Sequence, residues 1–247
     1  MNSSIGLVGT HAQVFPSTHW SIVLTAGDAA SPHARESLEK LCRTYWYPIY
    51  AMVRHRGHSP EDSEDYVQGF FAHILEKEVL NQVNQDKGRF RSFLLVCLSH
   101  YLNNEWHRTR TQRRGNGCIH LSLDIFNAES RYAEEASASL TPEQLFDRAW
   151  ALGVLQQALE RLRSEFDAPG KRELFAALEG HLTVTKPCQG YNDLATQWGM
   201  NAVALRMMVT RLRRRFGELV RLEISHTLKS ADDVGQELEA LMAVLGR

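Results

Sequence analysis

The sequence predicts an all-α protein built from two small helical domains that a flexible acidic linker joins. Apolar residues recur every three or four positions through most of the chain after about residue 34, which is the helical period. Combinations of Ser or Thr with Pro and acidic residues stand before two of these segments, and no alternating run indicates a strand. Hydrophobic residues make up 43% of the 247 positions and charged residues 23%, which excludes wholesale disorder.

The first predicted domain, residues 34–114, contains three amphipathic segments. The first segment carries Pro48, which should kink or restart its helix. The second opens on residues 59–62, Ser-Pro-Glu-Asp, where the serine can cap the helix and the carboxylates lie near its positive end. The third has a wide apolar face between Phe90 and Trp106. These three segments predict three helices.

The remaining segments are assigned from the same pattern. Residues 1–33 mix Ser, Thr, Gly, Pro and His with apolar clusters only around Phe15 and at 20–24, and they are predicted to form a loosely structured N-terminal extension. Residues 115–141 lack a sustained period and are predicted to be the flexible linker. A capping box, Thr-Pro-Glu-Gln at 141–144, opens the second domain, 142–220. Residues 221–247 are predicted to be an amphipathic tail that either packs on the second domain or regulates it.

Several function classes are excluded by simple features. The longest apolar run has six residues, and no Lys or Arg precedes Arg35, so we expect a cytoplasmic protein without membrane contact. Cys97 and His100 have metal-ligand spacing, but no second pair joins them, and a buried cysteine is favoured over a zinc ligand. No catalytic constellation and no glycine-rich phosphate loop is present. We therefore expect neither an enzyme nor a cofactor.

The net charge of −1 hides strong sorting along the chain. Residues 87–123 hold seven basic residues and one acid, and residues 194–217 hold five arginines and no acid. Residues 58–78 and 124–147 each hold six acids and one basic residue. Charge sorted into blocks indicates surfaces that meet charged partners.

The sharpest local pattern, residues 191–216, predicts a helix-turn-helix. Gly199 stands where the chain must turn with positive φ, and Asn201 can cap the second helix. On that helix Arg206, Thr210, Arg213 and Arg214 share a face that could lie in a major groove. The alternative is a solvated arginine face on an ordinary helical hairpin.

Residues 87–114 interleave aromatic and basic residues. Aromatic rings can stack on unpaired bases while arginines contact phosphates, a combination that suits single-stranded nucleic acid. The alternative is that the aromatic residues belong to the core, because they share the spacing of Leu94 and Leu98.

As an ordered set, three stretches resemble an RNA polymerase sigma factor of the extracytoplasmic-function group. They are SPEDSEDYVQGFFAHILEK (59–77), GRFRSFLLVCLSHYLNNEWHRTR (88–110) and YNDLATQWGMNAVALRMMVTRLRRRF (191–216). The resemblance implies that residues 34–114 bind core RNA polymerase and open the minus-ten promoter element. It implies that residues 142–220 read the minus-thirty-five element, and that the acidic linker runs toward the RNA exit path. An anti-sigma or other regulatory protein would be a further partner.

The resemblance also implies roles for individual residues. Core polymerase would contact Asp62, Asp65 and Gln68. Promoter DNA would contact Arg91, His100, Asn103, Arg108 and Arg110 in the first domain, and Asn201, Arg206, Thr210, Arg213 and Arg214 in the second. Two other hypotheses stay open at this point: a conventional helix-turn-helix regulator that binds duplex DNA without polymerase, and an anti-sigma-like adaptor that binds only protein.

Overall fold

The structure is a computed structural model, and its described residues form helices and no β-strand. The described residues are 23, 25–28, 30–76, 80, 90–109, 125–136, 139–168, 170–182, 190–225, 228 and 233–246, the side chains of 106–109 and 125–126 excepted. The helices are α1 Ala34–His55, α2 Pro60–Glu76, α3 Phe90–Thr109, α4 Ile125–Glu135, α5 Pro142–Ser164, α6 Lys171–Glu179, α7 Tyr191–Trp198, α8 Ala202–Ser225 and α9 Val234–Leu245. None of them is long and apolar enough to cross a membrane.

Two of the predicted helix starts are confirmed by their hydrogen bonds. The backbone N–H of Asp62 donates to Oγ of Ser59 at 3.0 Å, which caps α2. At the start of α5, Gln144 N donates to Thr141 Oγ1 at 3.2 Å and Thr141 N donates to Gln144 Oε1 at 2.8 Å. This reciprocal pair is the capping box that the sequence predicts.

The three helices that the sequence predicts for the first domain pack together, with α2 lying against both α1 and α3. Gly69 on α2 permits the close approach of α3, because a Cβ at that position would collide with the hydroxyl of Tyr101. Pro48 lies inside α1, which continues to His55. The restart that Pro48 predicts is therefore not observed.

Helix α5 is the centre of the core, and the helices that pack on it are α1, α8 and α9. Trp150 on α5 is 2% exposed and belongs to a single apolar cluster that includes residues of α1, α2, α3 and α8. The packing of α1 on α5 is the most extensive between any two described helices. It crosses the boundary that the sequence places between the two domains, so their division stays a prediction.

The expectation of a flexible linker is wrong for residues 125–135, which form α4. Both oxygens of Glu129 accept hydrogen bonds from Arg54, at 2.7 and 3.0 Å, and Oε1 also accepts one from the Tyr50 hydroxyl at 2.6 Å. Glu135 accepts a hydrogen bond from the Tyr47 hydroxyl at 3.0 Å. These contacts hold α4 against α1, and they are invisible to a search for helical periodicity.

Both ends of the described chain join the core. In the predicted N-terminal extension, Val23 is fully buried and Ala26 is 7% exposed. The tail forms α9, which packs on α5 and α8 and buries Leu241. Of the two alternatives for the tail, packing on the second predicted domain is therefore observed.

Candidate nucleic-acid interface

A short helix, a glycine turn and a long helix form the candidate interface. Helix α7 ends at Gly199, which has φ +60°, and α8 begins three residues later. The side-chain Oδ1 of Asn201 accepts the backbone N–H of Val203 at 2.8 Å, so Asn201 caps α8 as predicted. Leu194 on α7 and Leu205 on α8 are fully buried and join this pair of helices to the core.

The outward face of α8 combines apolar and cationic side chains. Val203 and Met207 are 58% and 54% exposed, and they stand one helical turn apart. Thr210, Arg211 and Arg214 are exposed on the same face, opposite the buried Leu205, Val209 and Leu212. The sequence prediction includes Thr210 and Arg214 but misses Val203, Met207 and Arg211. The apolar stripe of Leu205, Val209 and Leu212 could have identified these three residues from the sequence, because residues opposite the centre of a buried stripe point to solvent.

Two of the predicted DNA-binding arginines contact other residues of the chain. Arg213 donates through Nε and Nη2 to the backbone carbonyl of His181, at 3.1 and 2.7 Å. The guanidinium carbon of Arg206 lies 5.5 Å from the ring centroid of Tyr191 on α7. Both residues lie about a quarter turn from the centre of the outward face, at 100° per residue. The observed outward face of α8 is therefore rotated, relative to the face predicted from the sequence, toward Arg211 and Arg214.

Arg214 and Arg215 differ in their partners. Arg214 is 85% exposed and pairs with Glu218 at 3.3 Å. Arg215 donates to both oxygens of Glu165, beyond the end of α5, and pairs with Glu218 as well. Hydrogen bonds to Glu165, and then to Glu218, raise the pKa of Arg215. Arg215 thus links α8 to α5, whereas Arg214 is directed into solvent.

His181 supports the arginine side of α8. It is 3% exposed, and its ring lies 4.6 Å from that of Tyr191 between centroids. Burial, and then the positive charge of Arg213, lower its pKa from the usual value of 6.5. The neutral imidazole is therefore the form that fits this environment.

The second candidate surface is a stripe on α3. Ser92, Val96, His100 and Asn103 are all exposed at helical spacing, and Val96 is 57% exposed. The predicted contacts His100 and Asn103 are thus accessible. Arg108 belongs to the last turn of α3, although its side chain is outside the described part, and Arg110 lies outside the described residues. Of the aromatic residues, Phe90 is 3% exposed and belongs to the core.

Arg91 is the exception on α3, because it is only 9% exposed and faces the interior. Its guanidinium pairs with Asp147 of α5 at 3.3 Å and with Glu237 of α9 at 3.0 Å. The expectation that Arg91 is available to DNA is therefore wrong for the conformation seen here. The sequence pattern of α3 could not indicate this burial, because the partners of Arg91 are acids on two other helices.

The acidic surface lies at the start of α2. Asp62 and Asp65 are exposed, and Gln68 is half-buried with its amide donating to Glu64 at 3.1 Å. All three predicted polymerase contacts therefore follow one side of a single helix. Carboxylates at this end also favour the positive pole of the helix dipole.

Among the described residues, no group of three His, Cys, Asp or Glu side chains is arranged to hold a metal ion. Cys97 is half-buried on α3, and burial raises the pKa of its thiol. A comparison of the chain with models of protein families, with curated proteins and with solved structures finds no match in any of the three. The functional argument therefore depends on the chain's own residues.

Proposed function

We propose that this protein is a bacterial sigma factor of the extracytoplasmic-function type, a dissociable subunit that directs core RNA polymerase to promoters. The observation that carries the proposal is the outward face of α8. It presents Val203, Met207, Thr210, Arg211 and Arg214 to solvent, on a helix whose first four turns contain five arginines and no acid.

This face has the chemistry that reads a major groove. Arginine can donate two hydrogen bonds to a guanine edge, and apolar side chains can contact the methyl group of thymine. Arg211 has no ion-pair partner within the described part of the chain, and Arg214 has only the exposed Glu218. Because little internal bonding must be broken, both guanidinium groups are available to bases or phosphates. In this proposal α7 and α8 form the helix-turn-helix that reads the minus-thirty-five element.

The other two surfaces supply the functions that distinguish a sigma factor from a simple DNA-binding protein. His100 and Asn103 lie together on α3, where they can contact an unpaired strand of the minus-ten element. Asp62 and Asp65 on α2 can pair with basic residues of core polymerase. We assign residues 34–114 and 142–220 to two functional domains on this basis, and these assignments are part of the proposal.

The extensive packing of α1 on α5 favours a second candidate function. A conventional regulator binds duplex DNA as one compact body, without separating its helices, and usually as a symmetric dimer. Such a protein would need no acidic polymerase-binding surface on α2.

A pull-down with core RNA polymerase tests the proposal. Asp65→Lys should abolish co-purification with core, because a like charge placed at a complementary interface costs several kcal/mol of binding free energy. The matched control is Glu160→Lys, which makes the same change of charge at an exposed position on α5. Circular dichroism should show the helical content of the wild type in both variants.

Promoter binding separates the two candidates. The sigma factor should bind promoter DNA weakly alone and form an open complex once core is added. Tight, sequence-specific duplex binding without core, equal in wild type and Asp65→Lys, would contradict the proposal and favour the regulator.

A further inference from the structure

A series of side-chain contacts begins and ends on α8 and passes through the ring of Tyr191 on α7. The guanidinium carbon of Arg206 lies over that ring, 5.5 Å from its centroid. The ring of Tyr191 lies 4.6 Å from the ring of His181 between centroids. The backbone carbonyl of His181 accepts two hydrogen bonds from Arg213, which returns the series to α8.

These contacts fix the ring of Tyr191 relative to α8. Tyr191 is the first residue of α7 and is half-buried, and the neighbouring His181 is 3% exposed. Arg206 and Arg213 lie about 20° apart around α8 and two turns apart along it, so they share one edge of the helix. Because Arg213 ties His181 to this edge, the ring of Tyr191 is held beside Arg206.

The contact with Tyr191 leaves the hydrogen-bond donors of Arg206 available. The attraction of a cation to the face of an aromatic ring is electrostatic and occupies no N–H group. Arg206 is exposed, and within the described part of the chain its side chain makes no ion pair and donates no hydrogen bond. Arg213 differs, because it donates through two nitrogens to the carbonyl of His181. Arg206 is therefore oriented by the chain without being neutralised by it.

Arg206 lies at the end of α8 that would enter a groove. In complexes of helix-turn-helix proteins, the first residues of the second helix contact base edges, and the first helix crosses the sugar-phosphate backbone. Arg206 is the fifth residue of α8, and it borders Val203 and Thr210 of the outward face at spacings of three and four residues. It stands between that face and α7, at the depth along α8 where base edges are contacted.

Orientation before binding matters because an arginine side chain is flexible. A side chain that becomes immobile only on binding loses rotamer freedom at that moment, and the loss weakens the complex. Recognition of guanine also requires that two donors of one planar guanidinium meet two acceptors of the base. A ring that already restricts the guanidinium reduces the first cost and favours the second geometry.

We propose that Tyr191 is a positioning residue for base recognition, which holds Arg206 in the orientation that reads one guanine of the bound duplex. This inference rests on the proposed function and deepens it, because it assigns base specificity to a contact between α7 and α8. Arg213 has the supporting role of fixing His181. The contact between Arg206 and Tyr191 is then part of the DNA-binding site and does not compete with it.

The base preference of the full-length protein tests this inference. The protein is incubated with a library of random-sequence duplexes, with and without core RNA polymerase, and sequencing of the bound duplexes gives the relative affinity for each base at each position. Arg206→Ala should reduce the preference for guanine at one position about tenfold, as expected for the loss of a bidentate contact. Arg206→Lys should reduce it as well, because lysine keeps the charge but not the planar pair of donors.

Two substitutions at Tyr191 separate the ring from the hydroxyl group. Tyr191→Leu removes the ring and should reduce the guanine preference at the same position about fivefold, while the preferences at other positions stay unchanged. Tyr191→Phe is the matched control, because it keeps the face of the ring and removes only the hydroxyl. It should show the base preference of the wild type.

Fluorinated rings test the contact without changing its shape. Phenylalanines that carry an increasing number of fluorine atoms are placed at position 191. Each fluorine withdraws electron density from the face of the ring and so weakens its attraction for a cation. The guanine preference should therefore fall stepwise along this series. A residue that only packs would show no such series, and the test remains valid if Tyr191→Leu does not fold.

A double-mutant cycle shows whether Tyr191 acts through Arg206. In the Arg206→Ala background, Tyr191→Leu should not change the base preference further, because the group that the ring positions is already absent. Effects that multiply would show that Tyr191 contributes independently, and they would overturn the inference. An unchanged preference along the fluorinated series would overturn it too. So would a stronger guanine preference in Tyr191→Leu, since the ring would then be withholding Arg206 from DNA.

The selections with and without core polymerase separate this inference from the proposed function. If the wild type selects a sequence equally well without core, and fluorination weakens its guanine preference, the role of Tyr191 is supported and the sigma assignment fails in favour of the regulator. If selection requires core but the variants at Tyr191 keep the wild-type preference, the sigma assignment stands and the positioning role fails. If no sequence is preferred in either selection, both fail.

Discussion

The paired substitutions Arg213→Ala and Arg214→Ala test whether adjacent arginines on α8 have different roles. Arg213 donates two hydrogen bonds to one backbone carbonyl, that of His181, whereas Arg214 is 85% exposed and pairs with the exposed Glu218. We expect Arg213 to contribute to folding and Arg214 to DNA binding. The DNA-binding face predicted from the sequence includes both arginines and gives them the same role.

The expected size of the Arg213 effect follows from its contacts. Hydrogen bonds from a charged donor contribute about 1.5–3 kcal/mol, and the partial exposure of this guanidinium places the loss at about 1–2 kcal/mol. With a denaturant dependence of about 2 kcal/mol per molar urea, the unfolding midpoint should fall by about 0.5–1 M. Equilibrium urea unfolding, followed by circular dichroism, measures this shift.

The expected effect of Arg214→Ala is on DNA alone. The unfolding midpoint should not change measurably, because an exposed ion pair one turn apart on a helix contributes little. Promoter affinity of the polymerase complex should fall, and if Arg214 contacts a phosphate the slope of log K against log salt should decrease by about 0.9. Titrations of promoter DNA at four or five KCl concentrations give this slope.

The reasoning would be refuted by the reverse pattern. If Arg213→Ala leaves the unfolding midpoint unchanged and weakens promoter binding as much as Arg214→Ala does, then Arg213 is a DNA contact. The face predicted from the sequence would then be correct, and the hydrogen bonds to His181 would be incidental.

Two further predictions concern the same region. Replacing thymine by uracil in the bound minus-thirty-five element should weaken binding about fourfold for each methyl group contacted, since burying one such group contributes about 0.8 kcal/mol. The double variant Val203→Ala, Met207→Ala should lose that discrimination, and a wild type indifferent to the methyl groups would contradict the assignment. Because the pKa of His181 is lowered in the folded state, its unfolded state binds more protons near pH 6, and the free energy of unfolding should decrease as pH falls below about 6.5. Urea unfolding between pH 7.5 and 5.5 should show a smaller decrease for His181→Gln, whereas an equal decrease would exclude His181 as its source.

The helix starts could be predicted from the sequence because their causes are local. Ser59 and Thr141 accept hydrogen bonds from backbone groups three residues away, so the pattern of four residues contains the whole interaction. Gly199 and Asn201 at the turn before α8 are equally local. Such features depend little on the rest of the fold.

Helix α4 could not be predicted from local sequence patterns. Its 11 residues are too few to be stable as an isolated helix, and its contacts come from Tyr47, Tyr50 and Arg54 on α1. Glu129 and Arg54 are 75 positions apart in the chain. The sequence of the segment alone gives no reason to expect that pairing, and it therefore looks like a linker.

The distribution of charge along the chain explains why the linker expectation failed at α4, and it supports the proposed function. In the acidic block at 124–147, Glu129, Glu143 and Asp147 pair with Arg54, Arg56 and Arg91 of the first predicted domain. Within the described residues, no acidic helix faces the arginines at 206–214. Their one ion pair in this part of the structure joins Arg214 to the exposed Glu218. Charge sorted along the chain is thus internally matched in one place and left unmatched in the other. An unmatched cationic face is available to an external anion, whereas three acids of the matched block are already paired within the chain. Under the proposed function, the anion that meets the cationic face of α8 is promoter DNA.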